Sequence, residues 1–156
     1  MMKTSKAVLE ALAGKTLATA ESCTGGGIGA ALTAVPGASS VYKGGIISYC
    51  NEVKHRLLDV PEEMLARFGA VSAPVAEAMA QGARNALQAD VAVSVTGLAG
   101  PSGDEFGNPV GTVFIGYADS HHTVSRKFLF DGDRDQVRQC AMEAALRLVL
   151  EEVHDR

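Results

Sequence analysis

The chain has 156 residues, with 47% hydrophobic residues, 21% charged residues and a formal net charge of −4. That length and balance suit one folded domain with its own core, and they exclude a disordered chain or a fold that must be stapled by metal or disulfides. No dense Lys/Arg cluster accompanies the acidic charge, so nucleic acid is excluded as the expected partner.

Residues 4–13 predict a short amphipathic helix with Val8, Leu9 and Leu12 on one side, ended by Gly14. TLATA at 16–20 predicts a short buried strand. ESCTGGGIGAAL follows as a turn opening into a small-residue helix that runs towards Val35 and stops at Pro36-Gly37. Residues 42–50 predict a second strand centred on Ile46 and Ile47. Residues 51–58 predict a helix with Asn51 as N-cap, and 61–68 another short one with Pro61 in its first turn. Ser72-Ala-Pro74 starts a longer helix whose core face is Val75, Met79, Ala83 and Leu87.

VAVSVT at 91–96 is β-branched and alternating, hence a strand. Residues 97–109 form a Gly/Pro-rich loop of about thirteen residues, a length common in binding loops and lids. Residues 110–118 and 123–130 predict a hairpin. Asp133 is the expected N-cap of a final helix with Val137, Ala141, Ala144 and Leu148 on its buried face. Helices and strands alternate early and strands cluster late. The expected fold is therefore α/β: a single three-layer α/β/α domain over 1–156, with a mixed, largely parallel sheet and a C-terminal hairpin plus helix.

Cys23, Cys50 and Cys140 are odd in number and scattered, which fits free thiols in a reducing compartment. The N-terminus lacks the apolar core of a signal peptide, and no apolar run reaches membrane-spanning length. The expectation is a cytoplasmic protein without membrane contact. The small-residue helices permit a homodimer.

Four segments could carry chemistry. Glu21-Ser22-Cys23-Thr24-Gly25-Gly26 lies between a strand end and a helix start, where glycines allow close backbone approach and N–H groups suit an anion or oxyanion. Simple capping by Ser22 and Thr24 explains the same residues. Cys23 offers a thiol nucleophile, but no histidine is placed to activate it. Tyr49-Cys50-Asn51-Glu52-Val53-Lys54 offers an acid/base pair in Tyr49 and Lys54, if burial lowers the lysine pKa; otherwise Lys54 is a solvated helix residue. Thr96 and Gly97 open the long loop. Arg134 sits in the first turn of the last helix, unfavourable for a cation unless an anion or the neighbouring Asp131, Asp133 and Asp135 share the site. The histidines have no metal-spaced partners, so neither a metal nor another cofactor is expected.

Taken together, TAESCTGGGIGAALTAVPGASSVYKGGIISYCNEVK, GAVSAPVAEAMAQGAR, VSVTGLAGPSG, NPVGTVFIGY and FDGDRDQVRQ resemble the CinA C-terminal domain family, over about residues 8–149. Stand-alone members of that family include nicotinamide-nucleotide amidohydrolases of the PncC type. The resemblance implies hydrolysis of nicotinamide mononucleotide to nicotinate mononucleotide and ammonia, in pyridine nucleotide recycling, without metal. It implies Ser22 as nucleophile, Lys54 as base and Tyr49 as a supporting hydroxyl. It places Thr24, Gly25, Gly26, Asn51, Thr96, Gly97 and Arg134 around the substrate, with Arg134 on the phosphate. Longer members carry a further N-terminal domain, whose activity is not expected of this sequence. The competing expectation is a non-catalytic nucleotide-binding or competence-related interaction protein. Ser22 and Lys54 lack the one-turn spacing of S-x-x-K enzymes, so only the fold can bring them together.

Overall fold

A computed structural model describes residues 1–154; the last two residues of the expected 1–156 domain lie outside the described residues. In chain order the elements are α1 (Met2–Ala11), β1 (Leu17–Glu21), α2 (Gly27–Thr33), a 3₁₀ turn (Ala38–Ser40), β2 (Tyr42–Ile47), α3 (Asn51–Leu58), α4 (Glu62–Phe68), α5 (Ala73–Leu87), β3 (Val91–Gly97), β4 (Thr112–Ala118), β5 (Thr123–Leu129) and α6 (Arg134–His154). The strands make one sheet in the order β2-β1-β3-β4-β5. β1 runs parallel to β2 and β3, and β4 runs antiparallel to β3 and β5. Every strand but β4 therefore points the same way.

Strand alternation divides the core. Leu17, Val91, Val93, Val95, Val113 and Ile115 face α1, α2 and α6. Ala18, Ala20 and Ala92 face α3, α4 and α5. Successive side chains of a strand point to opposite faces, so VAVSVT serves both layers at once. Small residues on the second face let α5 come close. A Cβ on Gly116 of β4 would lie 2.3 Å from the Ala76 carbonyl oxygen of α5. No described helix is long and apolar enough to cross a membrane.

The element ends differ from expectation where backbone hydrogen bonds are diverted. β2 stops at Ile47 rather than Cys50, because Ser48 gives its N–H to the Glu21 carbonyl and then turns its own carbonyl to Lys54. Cys50, not Asn51, occupies the N-cap of α3, and Asn51 begins the helix. β4 starts at Thr112, since Gly111 sits at φ 94° with its N–H on the Leu98 carbonyl. Ala144 and Leu87 are half-buried at the edges of their helix faces. The expected cap of α6 does form: Asp133 Oδ1 accepts the Gln136 N–H at 2.9 Å and Gln136 Oε1 accepts the Asp133 N–H at 2.8 Å, a reciprocal capping box.

β1 and β3 lie side by side, yet the chain leaves β1 towards β2 and leaves β3 towards β4. In open α/β sheets such a switch point leaves a crevice beyond the carboxyl ends of the strands. Ser22 follows the end of β1, and Thr96 and Gly97 end β3. The topology thus delivers residues from distant segments to one crevice.

Candidate active site

A cavity of about 290 Å³ opens at this crevice, lined by Ser22, Cys23, Tyr49, Asn51, Lys54, Thr96, Gly97 and Arg134 among others. Its centre is a serine–lysine contact. Lys54 Nζ lies 3.0 Å from Ser22 Oγ and 2.7 Å from the Ser48 carbonyl oxygen. The two side chains are 32 positions apart in sequence. α3 starts just beyond β2 and projects Lys54 back beneath the end of β1.

The surroundings explain the lysine's charge state. Lys54 is 1% exposed and Ser22 7%. Among the described residues Lys54 has no carboxylate partner within ion-pair distance. Burial penalises the ammonium form, and the Lys54 pKa is pulled down from 10.5 to about 8. The Ser48 carbonyl holds one N–H and fixes the direction of the nitrogen towards Ser22. Cys23, next in the chain, behaves oppositely: burial pushes its thiol up to about 11. The thiolate is the nucleophilic form, so Cys23 is a thiol near neutral pH while Ser22 has an amine at hand.

The turn that carries Ser22 is anchored from inside. The Glu21 carboxylate, 2% exposed, accepts the Thr24 hydroxyl at 2.6 Å and the N–H groups of Ile28 and Gly29 at 2.9 and 3.0 Å. It thereby takes the positive end of α2, where anions are favoured, and keeps that end from a ligand. Thr24, Gly25 and Gly26 consequently stand behind the turn, outside the cavity lining. Gly25 and Gly26 are left-handed, at φ 57° and 99°, which glycine adopts without a Cβ clash.

At the mouth, Arg134 Nη1 donates to the Gly100 carbonyl at 2.6 Å and Nη2 to the Tyr49 hydroxyl at 3.1 Å. Tyr49 is 63% exposed and pairs with this arginine. Thr96 is buried, with its hydroxyl on the Ala70 carbonyl at 2.8 Å, so it shapes the wall and spends its donor there. Gly97 is required by space: a Cβ there would lie 2.9 Å from the Thr112 carbonyl oxygen. A larger hollow of about 950 Å³ adjoins, sharing Asn51, Ala70, Val71 and Leu98. It holds neither Ser22 nor Lys54, so the chemistry belongs to the smaller space. Among the described residues no group of three or more His, Cys, Asp or Glu is gathered to hold a metal ion.

Sequence reasoning missed three contributors. Glu21 had a signal, an acid just ahead of a helix start. Arg138 had one as well, lying one turn beyond Arg134; its Nε donates to the Cys23 carbonyl at 3.0 Å and its Nη2 to the Thr24 carbonyl at 3.2 Å. Ser48 acts through its backbone carbonyl and had none.

The same arrangement of elements recurs in known proteins. The family model for the CinA C-terminal domain matches residues 2–153. A CinA-like protein of Geobacter sp. (strain M21) is 54% identical over 125 residues, covering 80% of this chain and 30% of that protein. One from Synechococcus sp. (strain CC9311) is 63% identical over 102 residues, covering 65% of this chain and 24% of that protein. The chain spans about a third or less of the length of these curated relatives. The crystal structure of a CinA superfamily protein from Klebsiella pneumoniae 700603 superposes with a TM-score of 0.96 at 33% identity, covering 99% of this chain and 98% of that one. One from Escherichia coli gives 0.94 at 34% identity, covering 96% and 88%. By sequence and by fold, this chain belongs to the CinA C-terminal domain family.

Proposed function

We propose that the chain is an amidohydrolase that converts nicotinamide mononucleotide and water to nicotinate mononucleotide and ammonia. The observation that carries this reading is the buried Lys54 Nζ, 3.0 Å from Ser22 Oγ, with no carboxylate partner among the described residues. A serine is a weak nucleophile until a base takes its proton, and a lysine with a pKa of about 8 supplies that base near neutral pH.

Uncharged Lys54 accepts the Ser22 proton as Oγ attacks the carboxamide carbon. The tetrahedral intermediate collapses, the C–N bond breaks, and the ammonium of Lys54 returns the proton to the leaving nitrogen. Ammonia departs and an ester joins the nicotinoyl group to Ser22. Water, deprotonated by Lys54, attacks the ester, and Ser22 recovers its proton. Arg134 at the mouth suits the 5′-phosphate, because its planar fork pairs with phosphate in two places. Tyr49 holds that fork in place.

Ammonia release from the purified protein supplied with nicotinamide mononucleotide tests the reading. Ser22→Ala should lower turnover by about 10³-fold or more and still bind the nucleotide in calorimetry. Turnover at the parental rate in that variant would remove Ser22 as the nucleophile.

A further inference from the structure

Two hollows meet at the reaction centre, and only the smaller holds Ser22 and Lys54. The larger, about 950 Å³, has the size of a ligand pocket, commonly about 300–1,000 Å³. Asn51, Ala70, Val71 and Leu98 line both spaces and form their common border. Tyr49, Gly100, Ser102 and Arg134 line the smaller space only. The large hollow lies between two walls anchored separately. One is α3 with α4, which brings Leu65 and Ala66; the other is the loop after β3, which brings Leu98 and Phe106. The Phe106 ring is 44% exposed and lies over Gly69, where a Cβ would be 2.6 Å from it. Asn108 Nδ2 donates to the Val71 carbonyl at 3.2 Å and keeps this loop against the border. An aromatic side chain left half open on a hollow offers apolar area to whatever enters.

The charges around this hollow are uneven. On α3 and α4 they pair among themselves, Arg56 with Glu52 at 3.7 Å and His55 with Glu62 at 3.2 Å. On the facing loop, Asp104 and Glu105 have no ion-pair partner among the described residues. The hollow is thus partly apolar with an excess of negative charge, whereas the mouth of the small cavity carries Arg134. An amide joins an acyl part to an amine part through one planar unit, and the two parts of a trans amide point apart. With the phosphate of the acyl part on Arg134, a chain on the amide nitrogen has to leave the small cavity elsewhere. The border offers it a way lined by the apolar side chains of Ala70, Val71 and Leu98.

We propose that the large hollow is a subsite for the leaving amine, so that the site also hydrolyses secondary amides whose nitrogen carries an apolar chain, best one ending in a positive charge. This rests on the reading of Ser22 as an acyl-forming nucleophile and of Arg134 as the phosphate ligand. Ser22 Oγ bonds to the carbonyl carbon, the C–N bond breaks, and the ammonium of Lys54 passes its proton to the nitrogen, which departs as the free amine. Water then hydrolyses the ester, and the acyl product is again nicotinate mononucleotide. A primary amide releases ammonia and does not engage the hollow. A second nucleotide in place of the amine would bring phosphate to the acidic loop and is disfavoured there.

The test uses the full chain and a series of substrates: nicotinamide mononucleotide and its N-methyl, N-butyl, N-aminobutyl and N-carboxypropyl amides, with nicotinate mononucleotide as the common product followed by chromatography. N-butyl should exceed N-methyl in kcat/KM by about tenfold, because the added methylenes leave water against the hollow. N-aminobutyl should exceed N-carboxypropyl by about tenfold at low salt, with a narrower gap at high salt. Glu105→Lys should reverse that order. Ala66→Trp narrows the hollow and should lower the ratio of N-butyl to primary amide by about tenfold. Ser22→Ala should stop release of butylamine. Hydrolysis of the primary amide alone, or N-butyl below N-methyl, would overturn the proposal and leave the amidase reading standing. A preference for N-carboxypropyl in the parent protein, or butylamine release that survives Ser22→Ala, would also overturn it. Hydrolysis of the substituted amides without the primary one would refute nicotinamide mononucleotide as the substrate and uphold the subsite. No turnover of any amide would overturn both.

Discussion

The two faces of the sheet are built from opposite materials. Against α1, α2 and α6 the sheet presents Val91, Val93, Val95, Val113 and Ile115, all 3% exposed or less. Against α3, α4 and α5 it presents Ala18, Ala20 and Ala92, then Gly116, Ser94, whose hydroxyl donates to the Ala76 carbonyl of α5, and Thr96, whose hydroxyl donates to the Ala70 carbonyl between α4 and α5. The first face stabilises by area, at roughly 25 cal/mol per Å² of apolar surface. The second gains closeness instead and keeps a buried amine with no carboxylate partner among the described residues. The serine–lysine pair thus draws its lysine from the closely packed side, while α6 on the other side supplies Arg134 at the mouth.

The largest effect that would sharpen this contrast comes from Lys54→Met. Turnover of nicotinamide mononucleotide should vanish, while the fold should become more stable at pH 7. Lys54 titrates at about 8 in the native protein against 10.5 ordinarily. Between those values the unfolded chain holds the proton more tightly, so the native state loses stability as pH falls through that window. At pH 7 nearly the full cost is present, on the order of 3 kcal/mol, less about 1 kcal/mol for the stranded Ser48 carbonyl. Thermal melts at pH 7 and above pH 10.5 check the sign: the variant should gain at the first and not at the second. A lower melting temperature at pH 7 would mean that the lysine is a structural tie.

The next effect is the pH profile of the parent protein. If uncharged Lys54 is the base, kcat/KM should rise about tenfold per pH unit below the lysine pKa and level off above about 8. A profile flat from pH 6.5 to 9.5, in about half-unit steps, would contradict the assignment. Lys54→Arg should be inactive throughout, since a guanidinium stays protonated.

Much of this division was legible in the sequence. VAVSVT announced an alternating strand, and Asp133 announced the start of α6; the reciprocal bond from Gln136 came only with the fold. Ser22, Tyr49, Asn51, Lys54, Thr96, Gly97 and Arg134 were named in advance and do line one cavity. Their meeting was not legible from spacing, because strand order rather than chain order brings β1, β3 and α3 to one crevice. Thr24, Gly25 and Gly26, placed around the substrate by resemblance, do not line it, and the Gly25 N–H closes the turn on the Ser22 carbonyl. Backbone contributors such as the Ser48 carbonyl leave no trace in residue identity. Arg138 was hidden by its neighbours, since Asp135 one turn earlier offers a local partner at 3.8 Å.

Two smaller substitutions test whether the faces are functionally separate. On the closely packed side, a Cβ on Gly82 of α5 would lie 2.0 Å from the Leu58 carbonyl oxygen at the end of α3. Backbone cannot yield as a flexible side chain would, so Gly82→Ala should push α3 away and carry Lys54 with it. The expected result is a loss of about 1–3 kcal/mol together with a fall in kcat. On the other side, Ile115→Val removes one methyl from a fully buried side chain of the core facing α1, α2 and α6. That should cost about 0.5–1.5 kcal/mol and leave kcat and KM unchanged. If Ile115→Val lowered kcat as much as Gly82→Ala, strain from either layer would reach Ser22 equally, and the sheet would be transmitting rather than separating. An unchanged kcat at reduced stability would show that β4 isolates the serine–lysine pair from the packing behind it.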